Sequence, residues 1–149
     1  MTAQYQTLED NCVQACVASI LDLPLREVPH VFAGVSMGRD TGGWPKLFKW
    51  ASRRGYKAVW IDPRKRVEVR RLEKSGTYYM GNWPVEGGGA HAVVMRRGEI
   101  VFDPGRSSAI MGPALSYVAF EKKGGGCFAN ILLLLALYLL VSWIWRLLR

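Results

Sequence analysis

The fold is decided by one stretch near the N-terminus, which reads Gln6-Thr7-Leu8-Glu9-Asp10-Asn11-Cys12-Val13-Gln14-Ala15-Cys16-Val17-Ala18-Ser19-Ile20-Leu21. Apolar side chains recur in it at helical spacing, which predicts a helix over 11–21 with one buried face. Asp10 or Asn11 is suited to cap this helix by accepting a backbone N–H bond. Cys12 falls in the first turn, where the partial positive charge of the helix end favours a thiolate. The stretch therefore predicts a reactive cysteine at the start of a helix.

A thiol nucleophile needs a base to accept its proton and a third group to orient that base. The chain contains two histidines. His30 follows a proline and has no evident partner, so we interpret it as a surface or capping residue. His91 begins an apolar segment directly after a glycine-rich loop, which predicts an exposed imidazole on a rigid strand end. We therefore expect His91 to be the base.

The orienting group is expected to be Asp103. The two segments that flank Arg97-Gly98 read as strands, so they predict an antiparallel hairpin with a tight turn. His91 and Asp103 would then lie at the same end of the sheet, where the carboxylate can accept the imidazole N–H. By itself an Asp-Pro-Gly sequence is ordinary turn chemistry. In combination with Cys12 and His91 it favours a catalytic triad.

An oxyanion hole needs N–H donors beside the nucleophile. Gln6 lies six residues before Cys12, and its amide is the candidate donor alongside the backbone N–H of Cys12. Gln4 and Gln14 are the alternatives, although Gln14 is expected to point away from the helix end.

The remaining cysteine chemistry is expected to be inert. Cys16 lies one turn beyond Cys12 on the apolar side, which predicts a buried free thiol. Cys12, Cys16 and His91 would offer a zinc ion three ligands, whereas closed zinc sites use four, so we expect no metal and no cofactor. A total of three cysteines also argues against a disulfide framework.

The rest of the chain predicts helices first and strands later, which is the α+β class with an antiparallel sheet. Further helices are expected over 25–31 and 44–51, and a loop over 33–43. Strands are expected over 56–61, 77–83, 91–96 and 99–102, with an edge strand over 117–122. The segment 67–72 alternates apolar and charged residues and fits either an exposed strand or a short helix.

The composition changes after residue 123. From Phe128 to Trp145 there are 18 residues without a charge, close to the minimum that crosses a bilayer as a helix. We therefore expect a domain over 1–123, a glycine linker over 124–127 and a single-pass C-terminal transmembrane anchor over 128–149. The N-terminus shows no signal peptide, so the domain is expected to face the cytoplasm.

The net charge of +8 is unevenly distributed. Between residues 53 and 74 there are nine Arg and Lys residues and three acidic ones. Such a segment is usually a solvated surface. The alternative is an anionic partner, and for a tethered domain the nearest one is the acidic lipid leaflet. Nucleic acid is not favoured, because no binding motif accompanies the basic residues.

These residues resemble a known family, the papain-like cysteine peptidases that cleave bacteriocin leaders after a double glycine. The resemblance is closer to their small stand-alone relatives in bacteria and phages, and it runs in order over about residues 4–120. The matching positions are Gln6, Cys12-x-x-Ala15-Cys16-x-Ala18-Ser19-Ile20, His91-Ala92-Val93-Val94 and Phe102-Asp103-Pro104.

The resemblance implies a papain-like fold and assigns a role to each candidate. Cys12 would be the nucleophile, His91 the base, Asp103 the orienting residue and Gln6 a donor in the oxyanion hole. The expected function is a membrane-tethered cysteine peptidase or amidase that cleaves a peptide or protein substrate. Val13 stands where the family has glycine, so a catalytically silenced papain-like domain that binds a partner at the membrane is the alternative. A third hypothesis is a phage effector whose C-terminal helix perturbs the bilayer.

Overall fold

The computed structural model describes residues 1–8, 10–34, 42–86, 88–105 and 110–124. Within these ranges the chain forms three α-helices, which are α1 (Cys12–Leu21), α2 (Gly43–Arg53) and α3 (Arg66–Ser75). It also forms five strands, which are β1 (Tyr56–Ile61), β2 (Tyr79–Pro84), β3 (Ala90–Arg96), β4 (Glu99–Phe102) and β5 (Ser116–Lys122). The predicted α+β class is confirmed.

The strands form one antiparallel sheet in the order β1-β5-β2-β3-β4. β5 pairs with β1 on one side and with β2 on the other, so the prediction of an edge strand over 117–122 is wrong. The strand ends in the exposed residues Glu121 and Lys122, which gives it the pattern of an edge, whereas Val118 is fully buried between its two neighbours.

Helices cover both faces of the sheet. On one face α1 packs on β2 and β3 and α2 packs on β1, around a core that includes Val17, Leu47 and Val94. On the other face Leu72 of α3 packs with a second core group that includes Ile61 and Tyr79. The segment 67–72, which the sequence left undecided, is therefore part of a helix. Its apolar residues Val69 and Leu72 are three apart, which places them on one helical face.

Local signals set the ends of most elements. Helix α1 ends at Leu21 because Asp22 adopts a left-handed conformation with φ 58° and a proline follows two residues later. The predicted second helix over 25–31 is shorter in the structure, a 3-10 turn over Leu25–Glu27. The predicted hairpin turn is confirmed, since Arg97 and Gly98 have φ values of 55° and 86°, as a type I′ turn requires.

The predicted tail lies outside the described residues. These include Gly124 but no other part of the linker over 124–127 and none of the anchor over 128–149. Among the helices that the structure does describe, none has the length and apolar character needed to cross a bilayer.

Candidate active site

The structure brings Cys12, His91 and Asp103 together at one end of the sheet. Cys12 is the first residue of α1, His91 is the second residue of β3, and Asp103 directly follows β4. The Nε2 atom of His91 lies 2.7 Å from Oδ1 of Asp103, and the Cys12 side chain lies close enough to the same imidazole to raise its pKa. Because Nε2 is bonded to the carboxylate, Nδ1 is the ring nitrogen that remains for the thiol.

The surroundings of His91 favour its charged form. Burial by itself lowers the pKa of His91, but the hydrogen bonds and negative charges of Cys12 and Asp103 outweigh it, so the pKa is raised above its ordinary value. The residue is only 5% exposed, so the expectation of an exposed imidazole is wrong, and water screens these interactions weakly. The arrangement therefore stabilises the imidazolium form of His91.

Asp103 is held in place by the turn that follows it. Its Oδ1 atom also accepts the backbone N–H of Gly105 at 2.9 Å, which is the local bond of an Asx turn. The Asp-Pro-Gly sequence is thus both a turn and the support of the carboxylate. The two interpretations that the sequence offered for it are compatible.

Gln6 lies against the same turn. Its backbone N–H donates to the carbonyl oxygen of Pro104 at 3.2 Å. A Cβ atom built on Gly105 would come within 2.9 Å of Gln6 Oε1 and 2.9 Å of His91 Cε1, so all three residues are in close contact. Oε1 is buried and has no hydrogen-bond partner among the described residues. The structure therefore places the Gln6 amide oxygen near the imidazole, and the expected donation of this amide into an oxyanion hole stays a prediction.

Asn11 has a role that the sequence did not reveal. It occupies the N-cap position of α1, but its side chain makes no capping bond. Instead Oδ1 accepts the N–H groups of Thr7 and Leu8, both at 3.2 Å, and Nδ2 donates to Thr7 Oγ1 and Gln14 Oε1. The amide thus shapes the loop between Gln6 and Cys12 and leaves the Cys12 N–H to other acceptors.

The prediction that Asp10 or Asn11 caps the helix is therefore wrong. Asp10 accepts the N–H of Gly34 at 2.7 Å and lies 3.2 Å from Nε2 of His30. The expectation that His30 has no partner is also wrong, because Asp10 is its partner. A side chain near a helix start can accept a hydrogen bond from any of several N–H groups. Here contacts between segments that are distant in sequence determine which N–H group it bonds.

Neither alternative glutamine replaces Gln6. Nε2 of Gln14 donates to the carbonyl oxygens of Leu25 and Val28 at 3.0 and 2.7 Å, which ties α1 to the segment after it. The backbone N–H of Gln4 donates to Ser19 Oγ at 2.8 Å, so this residue lies along α1, away from its N-terminal end.

The two described cysteines are both free but differ in environment. Cys16 is completely buried. Burial, followed by the negative charges of Cys12 and Asp103, raises the pKa of the Cys16 thiol well above its ordinary value, so this thiol stays protonated. Of the two, it is Cys12 that lies close enough to the imidazole to raise the pKa of His91. Within the part of the chain that the structure describes, no His, Cys, Asp and Glu side chains are grouped to hold a metal ion.

Comparison with known proteins gives no match to a family model, to a curated protein or to a solved structure.

Proposed function

We propose that the protein is a papain-like cysteine peptidase or amidase. The observation that carries this proposal is the position of His91, which hydrogen-bonds Asp103 and lies close enough to the Cys12 thiol for the thiol to raise its pKa. A nucleophile, a base and a group that orients the base form the general arrangement of nucleophilic catalysis. Cys12 at a helix start and an antiparallel sheet that supplies the histidine and the aspartate also support the papain-like fold.

In the proposed mechanism His91 takes the proton of Cys12, and the thiolate attacks the carbonyl carbon of the substrate. The Gln6 amide and the Cys12 backbone N–H stabilise the oxyanion that forms. The imidazolium then donates its proton to the leaving amine, and a thioester on Cys12 remains. Water that His91 deprotonates hydrolyses the thioester and restores the thiol. The segment 128–149 anchors this domain to a membrane.

A silenced papain-like domain is the second candidate. It is favoured by the small exposure of the site, because Cys12 and His91 are each only 5% exposed. In this case the paired side chains would serve stability, and a partner would bind elsewhere on the domain.

The rate at which iodoacetamide modifies each cysteine of the full chain separates the two candidates. If Cys12 is a nucleophile, it should react at about pH 6, where an ordinary thiol with a pKa near 8.5 is almost unreactive. The His91→Gln substitution should slow this reaction about tenfold or more. Peptide mass spectrometry assigns the modification, and Cys16 serves as the internal control that should stay unmodified.

Activity is tested on a mixture of blocked peptides, with products read by mass spectrometry. The Cys12→Ala variant should yield no product, whereas the matched Cys16→Ala variant should retain cleavage and lose stability only. An inactive Cys16→Ala protein that is normally folded would contradict the assignment. A folded wild type in which Cys12 reacts no faster at pH 6 than in His91→Gln would favour the silenced domain.

A further inference from the structure

The outer face of α3 is strongly basic. At 100° per residue, four exposed cations and the exposed side chain of Val67 fall within one arc of about 140°. The four cations, which we call the basic face, are Arg66, Arg70, Arg71 and Lys74. Val67 is 73% exposed near the middle of this arc. The acidic residues of the helix, Glu68 and Glu73, fall outside it.

The basic face is electrostatically uncompensated. Among the described residues, no ion pair involves any of its four cations. Of the nearby carboxylates, Asp62 pairs with Arg64 at 2.7 Å and Glu68 with Lys65 at 3.3 Å, whereas the Glu73 carboxylate lies against Gly98. Four adjacent positive charges therefore face outward, which is the charge pattern that attracts an anionic surface.

The basic face points away from Cys12. Leu72, on the opposite side of α3, packs with Ile61 and Ala119 on one face of the sheet. Cys12 and the rest of the core of α1 lie on the other face. A surface that covered α3 would therefore leave Cys12 open to a substrate.

The chain leaves the described domain at the end of the sheet opposite to His91. The N–H of Lys123 donates to the carbonyl oxygen of Gly55 at 2.6 Å, next to the start of β1. At its other end β5 pairs Ser116 with Asn82, beside the residue that faces His91. The length of β5 therefore separates the exit from the catalytic end by about 20 Å.

The sequence beyond this exit indicates that the anionic partner is a lipid bilayer. The uncharged segment of 18 residues begins at Phe128, four residues after Gly124. A bilayer that receives this segment lies close to the exit and within reach of α3. Lys and Arg residues near such a surface are attracted to anionic headgroups, and an apolar side chain among them enters the interface.

We propose that the basic face and Val67 dock on an anionic phospholipid surface. Together with the C-terminal segment, this contact holds the domain on the bilayer with its catalytic end directed into water. This proposal does not depend on the proposed enzymatic activity, but it rests on the membrane anchor proposed above for 128–149.

The test uses the full chain with Val67→Cys, reconstituted in vesicles of phosphatidylcholine or of phosphatidylcholine with about 30% phosphatidylserine. A neutral, water-soluble maleimide then modifies the introduced cysteine, and peptide mass spectrometry measures the rate at this position. The anionic vesicles should slow the modification about fivefold or more, and about 0.5 M salt should remove most of this protection. Lys49→Cys on α2 should react at the same rate in both vesicles.

Two quadruple variants that lose the same number of positive charges distinguish protection due to the basic face from protection due to the net charge of the protein. Changing Arg66, Arg70, Arg71 and Lys74 to Gln should abolish the protection. Changing the exposed Arg26, Lys46, Lys49 and Arg53 to Gln should preserve it. Equal modification rates of Val67→Cys in the two kinds of vesicle would overturn the proposal. This result does not require either quadruple variant to fold. Protection in neutral vesicles by a soluble RNA, with none from phosphatidylserine, would also overturn it and assign the surface to nucleic acid.

Discussion

His91 and Asp103 are bonded through Nε2 and Oδ1 at 2.7 Å although twelve residues separate them in the chain. The β3–β4 hairpin makes this possible, because its register pairs Val94 with Phe102, the residue before Asp103. A bulge between Val94 and Met95 sets this register, so the imidazole reaches the carboxylate diagonally. A slip of one residue would turn the site residues to the other face of the sheet.

The charge of Asp103 is expected to set the alkaline limit of activity. In Asp103→Asn the amide oxygen still accepts the imidazole N–H, but the negative charge that helps to raise the pKa of His91 is lost. The alkaline limb of kcat/KM should therefore move to lower pH, and kcat/KM should fall about tenfold. A pH profile of peptide cleavage measures both effects. An alkaline limb that stays in place would show that Asp103 does not act through the charge of His91.

His91 should also make the stability of the fold depend on pH. Its pKa in the folded state is raised above the unfolded value of about 6.5, so the folded state binds the proton more tightly. The resulting stabilisation is fully present below about pH 6.5 and is lost as the pH rises through the folded-state pKa. The difference in Tm between wild type and His91→Gln should therefore shrink from pH 6 to pH 9, as thermal unfolding followed by circular dichroism can measure. A difference that grows over this range would contradict the assignment.

Gly105 should tolerate no side chain. A Cβ atom there would lie 2.9 Å from both Gln6 Oε1 and His91 Cε1, so Gly105→Ala must displace the amide or the imidazole. We expect a loss of about 1–3 kcal/mol in the free energy of unfolding and about a hundredfold loss of kcat/KM from misplacement of the site. Gly124→Ala is the matched control, since its Cβ would contact none of the residues that the structure describes. Full activity in Gly105→Ala would mean that the contact with His91 is not needed for catalysis.

The Asn11→Asp substitution should lower the free energy of unfolding. Gln14 cannot turn its amide around, because Nε2 donates to two carbonyl oxygens and Oε1 therefore faces the Asn11 side chain. In Asn11→Asp a carboxylate would meet that oxygen, with an expected cost of about 1–3 kcal/mol in the free energy of unfolding. Chemical denaturation measures this cost. The further loss caused by Gln14→Ala should be smaller in the Asn11→Asp background than in wild type, and strict additivity would exclude the coupling.

The elements that the sequence predicted well depend on neighbouring residues. The spacing of Val13, Cys16 and Val17 predicts α1 because a helix repeats every 3.6 residues. The Arg97-Gly98 turn predicts the hairpin because few residue pairs adopt positive φ at both positions. The approach of His91 to Asp103 follows from that hairpin alone.

Other features depend on contacts between distant segments, which no local pattern encodes. The insertion of β5 between β1 and β2 is a choice of partners across the sheet, so the position of the strand could not be read from its own alternation. The bonds of Asn11 to Thr7 and Leu8 and the pairing of His30 with Asp10 had the same cause. Each polar group had several possible partners, and the packing selected one.

The sequence by itself determined which chemical groups are present and where they lie locally. These are a cysteine at a helix start, a histidine and an aspartate in one hairpin, and an uncharged C-terminal segment. The tertiary structure alone decided that Cys12 meets the His91–Asp103 pair, that Gln6 contacts the imidazole and that the basic face lies on the far side of the sheet. The physical reason is that covalent spacing and local propensity act within a few residues. The packing of α1 on β3, in contrast, joins residues about 80 positions apart and is fixed by burial of the whole core.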